Sequence, residues 1–157
     1  MMAQLPSTLT MLASDDVYRL ARWNDMVIVD WAGLPTKDRL RTFEAKINET
    51  AGGRQKVVVV VRLRPGLGVP TAEMRDEITR VMRDTQHITA GWCVLLEREG
   101  FFAATHRSLT ATMHLLSGSK VKLKVFKTVS EAAVWVTQIG SSHQSGDVAM
   151  AIELRGG

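Results

Sequence analysis

The chain has 157 residues and a mass of 17.4 kDa, the length of one domain. Its 45% apolar and 23% charged residues exclude a disordered chain, and its single cysteine excludes an internal disulfide framework or a Cys-rich zinc site. The 20 Lys+Arg against 16 Asp+Glu give a net charge of +4, too small an excess to point to nucleic acid by itself. The longest strongly apolar run is Val57–Val61, where a membrane-spanning helix needs about 20 such residues. Met1 to Pro6 lack the basic start and apolar core of a secretory signal. The expectation is a cytoplasmic protein with no membrane span.

Residues 1–15 read as an N-terminal arm, residues 16–139 as the compact domain, and the Gly- and Ser-rich residues 140–157 as a flexible C-terminal tail. Two short strand-like runs, 17–23 and 26–31, flank Asn24-Asp25, which tolerate the positive φ of a tight hairpin. Thr36 is placed to cap a helix whose Leu40, Phe43, Ile47 and Ala51 share one face, and Gly52-Gly53 stop it. Five consecutive valines at 57–61 then disfavour helix and favour strand. Their lack of alternation predicts a central strand covered on both faces.

After Pro65-Gly66-Leu67-Gly68-Val69-Pro70, Thr71 caps a second helix with an apolar stripe of Met74, Ile78, Val81 and Met82. Residues 92–97 form a strand, and Glu99-Gly100 turn the chain into a third helix whose core face is read as Phe102, Thr105, Leu109, Met113 and Leu116. Lys120, Lys122 and Lys124 alternate with apolar residues through 121–126, the pattern of a half-exposed strand. Thr128 and Glu131 have capping-box spacing before a last helix over 130–139. The sum is an α/β domain: a five-stranded, mixed but mostly parallel sheet with an N-terminal β-hairpin and four helices.

This order resembles the STAS domain, the SpoIIAA-like fold of anti-sigma-factor antagonists, over about residues 17–139. The resemblance rests on the opening hairpin, the valine strand and the Gly66-Leu67-Gly68 turn leading into a helix. It implies a non-catalytic protein-interaction module in bacterial signalling or gene regulation, with a regulator or kinase-like protein as partner. In that family the turn follows an Asp-Ser whose serine is the phosphorylation switch. Arg64-Pro65 stand there in this chain, so the turn is kept and the phosphoacceptor is not.

The residues themselves point to the same end of the sheet. The Gly66–Pro70 turn follows a buried strand, where open α/β sheets place ligands, and precedes a helix whose free amides favour an anion. Arg62 and Arg64 could supply charge for an anionic small ligand, and Gly66, Gly68 and Thr71 complete this rim. Thr71 could be a displaced phosphoacceptor at this helix start, but its place is first that of an ordinary N-cap. His106 and Arg107 open the third helix and could face the same edge; otherwise they are a solvated first turn. His87, His106, His114 and His143 lack zinc-ligand spacing, no acid–base pair stands out, and Cys93 reads as a buried hydrophobe, so neither catalyst, metal nor cofactor is indicated. The lysines of 120–127 suit a guarded edge strand better than a nucleic-acid strip. The same scaffold could instead hold a small molecule or lipid, and its flat helices allow a homodimer.

Overall fold

Thr10–Ser14 (β1), Tyr18–Trp23 (β2) and Met26–Trp31 (β3) form an antiparallel meander in a computed structural model that describes residues 9–53, 55–97, 101–139 and 145–153. The Asp15 carboxylate turns β1 into β2 by accepting from the amides of Val17 (2.8 Å) and Tyr18 (3.0 Å). Asn24 takes φ +54° at the tip of the next hairpin, as its residue type allows. The chain then alternates helix and strand: Lys37–Ala51 (α1), Val57–Leu63 (β4), Ala72–Asp84 (α2), Thr89–Leu96 (β5), Phe101–Ser117 (α3), Leu123–Phe126 (β6) and Val129–Ile139 (α4). Ser145–Ile152 (α5) closes the described chain. Arg54, the turn at 99–100 and the chain ends at 1–8 and 154–157 lie outside the described residues.

The α/β class holds, and the element count is corrected. The sheet has six strands rather than five, and the described residues hold five α-helices rather than four. Part of the expected arm is the edge strand β1, and part of the expected tail is α5, whose Val148, Ala151 and Ile152 are buried in the core. Their i, i+3, i+4 spacing is a helix face.

Strand order is β1-β2-β3-β4-β5-β6, with β3 to β6 parallel. The order never reverses, so the sheet has no topological switch point and none of the crevice that such a point opens. All three crossover helices lie on one face. There Leu40, Phe43 and Ile47 of α1, Val81 and Met82 of α2 and Met113 of α3 pack with Val27, Val29, Val57, Val59 and Trp92. The alternate strand residues, Met26, Ile28, Val58, Val60, Cys93 and Leu95, face the other way and are covered by α4 and α5. Both faces of β4 are therefore buried, as its unbroken valines require.

Local chemistry sets the helix ends. Thr36 and Thr71 each accept an amide of the first turn, from Arg39 (3.4 Å) and Met74 (3.2 Å). Gly52 takes the left-handed conformation at the end of α1 and donates back to the Asn48 carbonyl (3.1 Å). Arg80 of α2 clamps α1 by donating to both carboxylate oxygens of Glu44 at 3.0 and 3.1 Å.

Gly91 of β5 lies close against α4. A Cβ there would run into the Ile139 Cδ1 methyl and stand 3.2 Å from the Trp135 ring, both on α4. Gly91→Ala is therefore expected to cost about 1 kcal/mol, the low end of the overpacking penalty, because the half-buried end of Ile139 can turn aside while the Trp135 ring must give slightly. A urea melt checks this: the midpoint should fall with the slope unchanged.

Candidate functional site

The seven rim residues singled out from the sequence lie after or near the C-terminal ends of β4 and β5, but they divide between the two faces of the sheet. Arg62 continues the alternation of Val58 and Val60 and so faces the α4/α5 side. Its guanidinium meets the carboxylate of Glu97 at 2.7 Å. Arg64 makes a two-pronged pair with Asp30 at the end of β3, Nε to Oδ1 at 2.8 Å and Nη2 to Oδ2 at 2.5 Å. Asp30 is only 3% exposed. The Asp30 hydrogen bond raises the Arg64 pKa further above its ordinary value, against the opposing effect of burial. The two arginines expected to serve an anionic ligand are thus engaged in ion pairs at the C-terminal ends of β3, β4 and β5.

The turn and α3 meet on the opposite face. Gly66 has φ +90°, a conformation that favours glycine, and the turn swings Leu67 inward to burial. His106 of α3 is buried, with its Nε2 3.0 Å from the Leu67 carbonyl oxygen. A carbonyl only accepts, so His106 Nε2 carries the proton and donates. The contact latches α3 onto the turn. Gly68 is exposed beside Leu34, Thr71 is exposed with its hydroxyl engaged as the N-cap of α2, and Arg107 is exposed one residue beyond His106. The expected pairing of His106 with the turn is present, whereas Arg107 points away from the latch by helix geometry.

The core face of α3 is a correction. Its buried residues are Ala103, His106, Thr110, Met113 and Ser117, and Phe102 and Leu116 of the expected stripe are 54% and 69% exposed. The buried face is rotated by roughly 80° from the expected one, at 100° per residue. The helix turns small and polar residues inward and leaves large apolar ones outside. Leu115, adjacent to Leu116 and 79% exposed, adds apolar surface at the C-terminal end of α3, about 20 Å along the axis from Phe102. The adjacent leucines give no signal of this by themselves, because neighbouring residues can share one buried face, as Val81 and Met82 of α2 do.

Beneath the latch, α1, α2, α3 and the sheet enclose a cavity of about 90 Å³. Leu67, Phe43, Met82, Trp92, Thr110 and Met113 contribute to its wall. Cys93 lies across the sheet from it. Burial pushes the Cys93 thiol up to about 12, so near neutral pH it is a protonated core residue and no nucleophile. Among the described residues no group of three His, Cys, Asp or Glu is placed to hold a metal ion, and no helix is long and apolar enough to cross a membrane. Lys120, Lys122, Lys124 and Lys127 are all exposed at and beside the edge strand β6.

Comparison with protein-family models, with curated proteins and with solved structures finds no match to this chain.

Two outcomes follow from this geometry. Arg64→Met strands a buried carboxylate, and should destabilise the fold by about 1–3 kcal/mol, below the fully buried value because Arg64 itself is partly solvated. Chemical denaturation should show Asp30→Asn/Arg64→Met recovering part of that loss. Cys93 should resist iodoacetamide in the native protein and react fully in denaturant, as read by intact mass.

Proposed function

We propose that the protein is a non-catalytic docking module with STAS-like element order, which works by binding a protein partner in bacterial signalling or gene regulation. The observation that carries this reading is the inverted exposure along α3. Phe102, Leu115 and Leu116 are presented to solvent while His106, Thr110 and Ser117 are buried. Exposed apolar side chains grouped on one helix have a reason to persist when a partner covers them. Leu34 and Val69, each exposed in a loop after a parallel strand, lie at the Phe102 end of α3, while Leu115 and Leu116 form a separate apolar pair about 20 Å away at its other end.

The partner recognised by such a surface presents apolar side chains, because the arginines nearest the turn already have carboxylates. The missing serine at the Arg64-Pro65 position leaves no phosphoacceptor of the family kind at the turn. Thr71, the next hydroxyl along, serves as the N-cap of α2, accepting from the Met74 amide. In this reading the module docks through a standing surface.

Leu115→Asp/Leu116→Asp tests it, because both side chains are exposed and changes there should alter stability by no more than about 0.5 kcal/mol each. A tagged full-length chain expressed in its native cell should recover a stoichiometric partner, with recovery falling at least tenfold in the folded double variant. Undiminished recovery of that partner would overturn the reading, as would finding no stoichiometric partner for the parent protein. Loss of a homodimer by sedimentation would identify the partner as a second copy.

A further inference from the structure

The outer surface of α3 differs in kind from that of α1 and α2. Arg107 is the single Asp, Glu, Lys or Arg among the 17 residues of α3, whereas α1 and α2, both shorter, carry seven each. Phe102 and Leu116 are 54% and 69% exposed and stand two full heptads apart, so they share one side of the helix. Thr105, Leu109 and Thr112 fill the positions between them at the spacing of a helix-pairing seam. The Thr112 hydroxyl donates to the Ser108 carbonyl (2.9 Å), so it is satisfied within the helix and does not depend on water. Ala104, Ser108 and Ala111 are small and exposed, and small residues let a second helix axis come near.

From this pattern we infer that α3 pairs antiparallel with α3 of a second copy, across a two-fold axis near Leu109. The inference rests on the docking reading above and names its partner. A two-fold contact uses one patch twice. With the axis near Leu109, midway between Phe102 and Leu116, Phe102 of each copy meets Leu116 of the other. The two apolar ends of α3, separated on one copy, thereby cover each other. Charge favours the same direction. The first turn of α3 has no acidic residue to offset its positive dipole end, and antiparallel pairing sets that end beside the negative end of the other helix. Arg107 lies half a turn around the helix from Leu116, so it is not driven onto its own image. The exposed parts of Phe102, Leu115 and Leu116 add up to two whole side chains of about 200 Å² each, or about 800 Å² for two copies. With the small residues between them the buried total comes to about 1,200 Å², the lower end for a stable interface.

Sedimentation velocity on the full chain tests the pairing. The parent should pass from monomer to dimer with a midpoint of roughly 10 μM, as suits an interface of this size. Phe102→Lys and Leu116→Glu should each weaken the dimer by about thirtyfold or more, the loss expected of a central contact. Mixed in equal amounts, the two variants should associate at least about tenfold more tightly than either alone, because only antiparallel pairing sets the two introduced charges against each other. Circular dichroism melts check that each variant is folded. A parent that stays monomeric up to about 300 μM, well past that midpoint, overturns the inference whatever the variants do. A dimer left intact by Leu116→Glu overturns it too, as does a mixture of folded variants that stays monomeric. The two readings fail separately. A monomeric parent that captures a different protein through Leu115 and Leu116 ends the two-fold pairing alone, and one that captures nothing ends both.

Discussion

A strand that is apolar on both faces cannot lie at a surface, and β4 imposes that constraint on everything around it. Val57, Val58, Val59 and Val60 are all fully buried. Because side chains alternate across a strand, two of them need cover from one layer and two from the other. The chain supplies the first layer in passing, since each crossover between parallel strands deposits a helix on the same side. The second layer has to come from the end of the chain, after the sheet is complete. That is why α4 and α5, which follow the last strand, both pack on Val58, Val60 and their neighbours. The sequential strand order and the late second layer are consequences of one apolar run.

The same constraint explains where the charges stand. β4 leaves its buried stretch at Arg62, the first residue on the α4/α5 side after Val60. A cation at that depth needs a carboxylate close by, and Glu97 provides it; Asp30, itself buried, needs Arg64. The positive charge of Arg62 and Arg64 is therefore neutralised locally. A local run of arginines in a sequence reads as a field, but the fold pairs these two. The lysines around β6 differ because they lie along an exposed edge, where charge hinders pairing with another strand.

Much of this was legible in the sequence where one residue type answers one need. Thr36 and Thr71 cap, Gly52 terminates α1, Asn24 turns the hairpin, and the valine run is central. What escaped were elements whose residues have weak local preference. Thr10–Ser14 is a strand because β2 offers it a partner edge, and its Met, Leu, Ala and Ser carry little strand signal of their own. Ser145–Ile152 looks like linker chemistry at its start, and its helix is secured by burying Val148, Ala151 and Ile152. The latch from His106 to Leu67 was legible as proximity, because both residues follow strand ends, but the proton on Nε2 follows only from the carbonyl it faces. The division of the candidate arginines from the latch required the strand phase, which sequence periodicity in a continuous apolar run does not reveal.

The orientation of α3 is the least local feature and the most informative one. Facing Phe102 and Leu116 inward would bury more apolar surface, and burial of that kind is the largest favourable contribution available to a helix. The fold instead turns in Ala103, His106, Thr110 and Ser117, which demand small volume and satisfied polar groups. Two of those demands are met with visible precision: His106 donates to the turn, and the Ser117 hydroxyl donates to the His114 carbonyl at 2.6 Å. Small and polar inward residues also leave room, and the cavity beside Thr110 and Met113 is where that room lies. One rotation of one helix thus accounts for both an apolar outer surface and an underfilled inner one. A structure selected for stability alone would have no reason to keep both. An outer surface covered by a partner, as proposed, would give the helix a reason to hold this rotation.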